Sequence, residues 1–271
     1  MPIAKAGAFD VDYTDVGSGP VVLLVHSSAS GNRQWRRLAD ELKDRYRLIA
    51  VNLFGYGATA AWPAGQTQTL SDQAKLIVAA ASDTDGPVTL VGHSMGGAVA
   101  LETAIALGNR VQLVIVFEPI LFYLLKQHGE PEAFAEIEAI ANGFRARGAR
   151  NEWESVGEMF VDYWSPPGSW AAMPADRRAG LLQVLPTVTH DWDSTVPSGR
   201  PIGDWGRIAA PVHVIQADDT RLSTRRVAAV LAANFPDWHF HRVAAGGHMA
   251  PLARPDLVNP LIASILGGAR L

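Results

Sequence analysis

The residues most able to do chemistry are five in a row, Gly92-His93-Ser94-Met95-Gly96, a G-x-S-x-G pattern with Gly97 behind it. A serine hydroxyl is a weak nucleophile until a neighbouring base takes its proton. The pattern alone recurs by chance, and glycine-rich turns also build phosphate sites, so context must decide. Here Val88, Leu90 and Val91 form a short apolar strand before it, and a small-residue helix from Met95 to Leu107 follows. A sharp strand-to-helix turn exposes the hydroxyl of Ser94 and sets it near a helix N-terminus, where developing negative charge is favoured. Glycines two before and two after the serine are required because a Cβ there would strike the adjoining strand or helix.

A base must come from elsewhere in the chain. Of the eight histidines, His248 is best placed, on the loop Ala244-Ala245-Gly246-Gly247-His248 after a strand, far downstream of Ser94. His93 adjoins the serine, but neighbouring side chains diverge, so it is a poor base. His26 ends a strand and is expected to shape its loop by hydrogen bonds. His128, His190, His213, His239 and His241 have no motif around them. The base needs a carboxylate to fix its tautomer and stabilise its charge. Glu118 ends the strand Gln112 to Phe117, while Asp218 and Asp219 follow the strand Val212 to Ala217. All three would stand at strand C-terminal ends, where open parallel sheets place their chemistry. An oxyanion formed on attack needs preorganised donors. The Met95 N–H, just past the serine, is one; the loop His26 to Ser30 should supply the second, through the Ser28 N–H.

These residues need a frame. Val21 to Val25 is a buried strand, Leu48 to Leu53 another, and helices follow at about Asn32 to Lys43 and, begun near Ser71, Leu70 to Ala81. Ala8 to Tyr13 alternates weakly, as an edge strand would. From Ile120 to Trp205 the strand–helix rhythm gives way to helical patterns at Pro131 to Arg147, Glu152 to Tyr163 and Pro174 to Leu185, with five of the eight tryptophans. This is expected to be a helical cap domain, residues 120–205, inserted in a core domain of residues 1–119 and 206–271. Most of its aromatics should pack cap onto core. Alternation resumes with strands Val212 to Ala217 and His239 to Val243 and helices Thr224 to Asn234 and Pro255 to Leu266. Strands alternating with helices imply parallel pairing by right-handed crossovers.

The bulk properties exclude some classes. The 271 residues are 48% hydrophobic with net charge −4 and no basic stripe, which argues against nucleic acid as a partner. Cysteine is absent, so there are no disulfides and no thiolate chemistry. No apolar run is long enough for a signal peptide or a membrane span, and a cytoplasmic protein is expected.

Together, His26-Ser27-Ser28, Asn52-Leu53-Phe54-Gly55-Tyr56-Gly57, Gly92-His93-Ser94-Met95-Gly96-Gly97 and Gly247-His248-Met249-Ala250-Pro251-Leu252 make the chain resemble the α/β-hydrolase superfamily over nearly its whole length. The resemblance implies a mostly parallel sheet flanked by helices, Ser94 as nucleophile, His248 as base, and the Ser28 and Met95 amides as the oxyanion hole, with no cofactor and no metal. A serine at position 94 argues against the related haloalkane dehalogenases and epoxide hydrolases, which use aspartate. Two departures stand out. Ser27 replaces the usual glycine of the oxyanion loop, suggesting another backbone path. The family's usual acid position, in G-x-x-D, falls on Thr220, with Ala217 in the glycine's place. Some branches carry the acid after the strand that follows the elbow, so Glu118 is preferred, Asp219 is the alternative and Asp218 the third. The expected activity is cofactor-independent hydrolysis of a small or medium hydrophobic carboxylic ester through an acyl-enzyme. Carbon–carbon bond hydrolysis, lactone hydrolysis or perhydrolysis on the same residues is the alternative, and a non-catalytic small-molecule binding protein the rival from another class.

Overall fold

The structure is a computed structural model that describes residues 3–82 and 84–268. Eight strands form one sheet: β1 (Ile3–Ala6), β2 (Phe9–Gly17), β3 (Val21–Val25), β4 (Arg47–Val51), β5 (Val88–His93), β6 (Val111–Phe117), β7 (Val212–Ala217) and β8 (His239–Val243). Their order is β1-β2-β4-β3-β5-β6-β7-β8. The six from β4 to β8 pair in parallel, and β1 and β2 add antiparallel at one end. This is the α/β-hydrolase fold.

Buried parallel strands read as continuous apolar runs, and β3 and β5 are buried at every residue. Successive side chains face opposite ways along a strand, so the sheet feeds two cores. Leu23, Val25, Ile49, Val51, Leu90 and Val114 face α2 (Leu70–Ala81) and α3 (Met95–Leu107). Val22, Leu24, Leu48, Ala50, Val91 and Ile115 face the other way. There they meet Leu38 and Leu42 of α1 (Arg36–Leu42) and Val258 and Ile262 of a helix near the C-terminus.

Between β6 and β7 the chain forms α4 (Tyr123–Gln127), α5 (Pro131–Gly148), α6 (Trp153–Trp164), α7 (Ser169–Ala172) and α8 (Ala175–Thr195). After β7 come α9 (Leu222–Asn234), α10 (Ala250–Ala253) and α11 (Pro255–Gly268). Ion pairs tie the inserted segment to the rest. Arg200 binds Glu102 of α3, and Arg226 of α9 binds Glu130.

Two local readings need correction. The strand expected at Ala8 to Tyr13 runs on to Gly17 and is not the edge, because the four-residue β1 pairs outside it. Helix α2 has the expected bounds, Leu70–Ala81, and Thr69 caps it: its hydroxyl accepts from the Asp72 amide while Asp72 reaches back to the Thr69 amide, a capping box. The helix expected to stop at Leu185 continues through Pro186 to Thr195. Proline removes one helical hydrogen bond and usually ends or kinks a helix. Burial of Val188, Asp191, Trp192, Ser194 and Thr195 holds the second half in place. Also unseen in the sequence, His213, His239 and His241 meet on β7 and β8, with His213 Nδ1 2.9 Å from His241 Nε2. Burial first, then the neighbouring imidazoles, lowers the His213 pKa to about 4.

Candidate active site

Strand β5 ends in His93, and Ser94 then turns the chain with φ 56° and ψ −118° before α3 begins. A positive φ on a serine is costly and persists only where surroundings hold it. The holding bonds are visible. The Ser94 N–H donates to the Phe117 carbonyl at 2.9 Å, and the Ser94 carbonyl accepts from the amides of Gly97, Ala98 and Ile120. The glycines answer to space: a Cβ on Gly92 would stand 2.2 Å from the Gly96 carbonyl oxygen, and one on Gly96 2.2 Å from that of Val25.

The structure brings Ser94, His248 and Glu118 together from three segments. Ser94 Oγ is 2.8 Å from His248 Nε2, and His248 Nδ1 is 2.7 Å from Glu118 Oε2. All three are buried. Glu118 follows β6 with φ 43°, another left-handed non-glycine residue. Its Oε1 accepts from the Ala217 N–H at 2.9 Å and its Oε2 from the Thr220 hydroxyl at 2.7 Å. A carboxylate receiving these donors stays an acceptor toward the imidazole. That fixes the proton on Nδ1 and leaves Nε2 free to accept from Ser94.

The other carboxylates stand elsewhere. Asp219 accepts from the Gly246 and Gly247 amides at 3.1 and 2.8 Å, so it shapes the loop that carries His248 without touching the ring. Asp218 pairs with Arg242. Thr220, at the position the resemblance gives to an acid, instead donates to Glu118.

His93 lies beside the ring of His248 and is not in contact with the serine hydroxyl. Gln34 Nε2 donates to His93 Nδ1 at 3.1 Å, and His93 Nε2 donates to the His248 carbonyl at 2.8 Å. Burial, then the nearby His248, holds the His93 pKa well below the usual histidine range. The same Gln34 accepts from both the amide and the hydroxyl of Ser27 at 2.9 Å. Thus one chain of bonds joins the loop after β3 to the backbone of His248. His26 shapes that loop as expected: its Nε2 accepts from the Leu53 amide and its Nδ1 donates to the Ser27 carbonyl. Burial lowers its pKa to about 4, so it is neutral.

A cavity of about 730 Å³ opens over Ser94. The loop Ser27 to Ser30 forms one wall, and Ser28 lies on it. As the first residue of α3, Met95 has an N–H with no carbonyl one turn earlier in the helix. The far wall is apolar, with Phe160, Val161 and Trp164 of α6 and Leu181, Val184 and Trp192 of α8. Trp164 also packs on His248, ring centroids 4.1 Å apart. An aromatic face there favours a protonated over a neutral imidazole at His248. Of the inserted tryptophans, Trp164 and Trp192 therefore border the cavity, while Trp170 and Trp205 are packed away. No group of His, Asp or Glu able to hold a metal ion occurs among the described residues.

Sequence reasoning missed Gln34 and Asp191, each a lone residue without a motif; of the five inserted tryptophans it expected one or two to line a pocket, and these are Trp164 and Trp192. A family model described as "Alpha/beta hydrolase family" matches residues 22–261. Lipase LipV of Mycobacterium tuberculosis is 29% identical over 92% of this chain and 95% of its own length. The 2-hydroxy-6-oxo-6-(2'-aminophenyl)hexa-2,4-dienoic acid hydrolase of Metapseudomonas resinovorans is 31% identical over 41% of this chain and 40% of its own. Among solved structures, a thermophilic esterase from Thermogutta terrifontis superposes with TM-score 0.77 at 21% identity, covering 99% of this chain and 98% of its own.

Proposed function

The chain belongs to the alpha/beta hydrolase family, and from that premise we propose that it is a cofactor-independent serine hydrolase acting on small or medium carboxylic esters. The observation that carries this reading is the unbroken hydrogen-bonded line from Ser94 through His248 to Glu118 at 2.8 and 2.7 Å. Ser94 Oγ attacks the ester carbonyl as His248 Nε2 takes its proton. Glu118 holds the Nδ1 proton and stabilises the imidazolium. The amides of Ser28 and Met95 receive the developing oxyanion, the α3 N-terminus adding its dipole. The tetrahedral intermediate collapses as His248 protonates the departing alcohol. Water, deprotonated by the same imidazole, then frees the acid from Ser94. Residues 120–205 act as a cap whose apolar wall excludes water and selects a hydrocarbon portion of the substrate.

Rapid mixing with p-nitrophenyl acetate and butyrate tests this. A burst of p-nitrophenol stoichiometric with enzyme, followed by steady turnover, is expected, together with labelling of Ser94 by a fluorophosphonate. Absence of both labelling and turnover would leave a hydrolase-fold binding protein as the better reading. The second enzymatic reading is carbon–carbon bond hydrolysis, favoured by the partial relative from Metapseudomonas resinovorans. Turnover of a vinylogous diketone acid with no ester hydrolysis would select it.

A further inference from the structure

One buried titratable group takes no part in that mechanism. Asp191, on the half of α8 beyond Pro186, lines the same cavity as Ser94 and is only 2% exposed. Its Oδ2 accepts from the Tyr56 hydroxyl at 3.2 Å, and that hydroxyl in turn accepts from the Ala29 N–H at 2.9 Å. Its Oδ1 has no hydrogen-bond partner among the described residues. The Ser28 hydroxyl stands close enough to favour the charged carboxylate without completing a bond to Oδ1. Burial outweighs both hydroxyls and raises the Asp191 pKa to about 7.

A carboxyl oxygen buried without a donor is costly, and such atoms are rare in folded proteins unless something else meets them. Holding Tyr56 in place does not explain it, because Oδ2 alone does that. Asp191 lines the cavity beside the nucleophile, and a few polar groups in such a cavity ordinarily fix a ligand's orientation. We infer that Asp191 Oδ1 is a substrate-recognition atom that accepts a hydrogen bond from a hydroxyl group carried by the ester. The inference rests on the serine hydrolase reading and narrows it, from hydrocarbon esters to hydroxylated ones. An ammonium group is the other donor a carboxylate could meet. Arg33 and Arg177, both exposed on the cavity lining, put positive charge at the mouth and disfavour a cationic substrate.

Matched p-nitrophenyl esters test it: butyrate against 3-hydroxybutyrate, and hexanoate against 6-hydroxyhexanoate and 6-aminohexanoate. At least one hydroxylated ester should exceed its parent in kcat/KM by about tenfold, the worth of one hydrogen bond to a charged group. Asp191→Ala should erase that ratio and Asp191→Asn, which keeps an acceptor oxygen, should restore part of it. Tyr56→Phe should keep it, since it removes the partner of Oδ2 and the acceptor of the Ala29 N–H but leaves Oδ1 in place. Reading ratios within each variant separates recognition from any loss of folded protein. Equal kcat/KM across all pairs, a ratio that survives Asp191→Ala, or preference for the amino ester alone would overturn the inference. If wild-type protein hydrolyses no ester, the hydrolase reading fails instead. Calorimetry with 6-hydroxy-N-methylhexanamide and N-methylhexanamide then decides recognition: tighter binding of the first, lost in Asp191→Ala, supports it, and equal binding refutes it.

Discussion

Replacing Ser94 by alanine is expected to lower kcat on short-chain esters by a factor on the order of 10⁴ to 10⁶. The size follows from what is lost. Without Oγ there is no acyl-enzyme, and the remaining His248 and oxyanion donors can assist only direct attack by water, leaving a small residual rate. At about 1.4 kcal/mol per factor of ten, the loss is roughly 5–8 kcal/mol of transition-state stabilisation. Folding should survive, because the Ser94 backbone bonds that hold the turn are untouched and the side chain only shrinks. The check is steady-state kinetics on protein whose circular dichroism and melting temperature match wild type. Retention of more than a hundredth of the activity would remove Ser94 from the role of nucleophile.

Glu118→Gln should cost a factor of about 10³ to 10⁴ in kcat, whereas Asp219→Asn should stay within about tenfold. A glutamine at 118 has one oxygen where the carboxylate has two. If that oxygen keeps the Ala217 N–H, the amide group faces His248 Nδ1 and donates to it. The imidazole then carries its proton on Nε2, toward Ser94, and is no longer a base. If the amide turns round, two donors confront each other at Ala217, and the strained turn at φ 43° loses an anchor. Asp219 acts one step further away, on the amides of Gly246 and Gly247 at an exposed loop. Parallel kinetics on the two variants decide between them: full turnover by Glu118→Gln with collapse of Asp219→Asn would reverse the assignment.

The sheet and the turn at Ser94 were legible because their signals are local. Apolar runs such as Val21 to Val25 and the glycines flanking Ser94 state their own requirements. The choice among Glu118, Asp218 and Asp219 was not, since all three follow parallel strands. Only the relative heights of β6, β7 and the Gly246-Gly247 loop, set by long-range pairing, bring one carboxylate to the imidazole. Thr220 is instructive: at the place where an acid was to be sought, a hydroxyl donates to Glu118, which follows the neighbouring strand. Asp191 was hidden for a different reason. Pro186 reads as the end of a helix, so the residues beyond it lost their helical phase. The link from Ser27 through Gln34 and His93 to His248 spans loops whose contacts no periodicity encodes.

Four non-glycine residues have left-handed φ among the described residues, and three of them, Ala29, Ser94 and Glu118, belong to this one site. Each such conformation costs on the order of 1–3 kcal/mol, so the rest of the molecule carries a local deficit concentrated where bonds are to be broken. Selection for heat resistance alone would therefore reward glycine at these positions, relaxing the chain while blunting or misdirecting the reagents it holds. Durability and turnover pull against each other here at the same three residues, and improved variants of one kind should be sought well away from them.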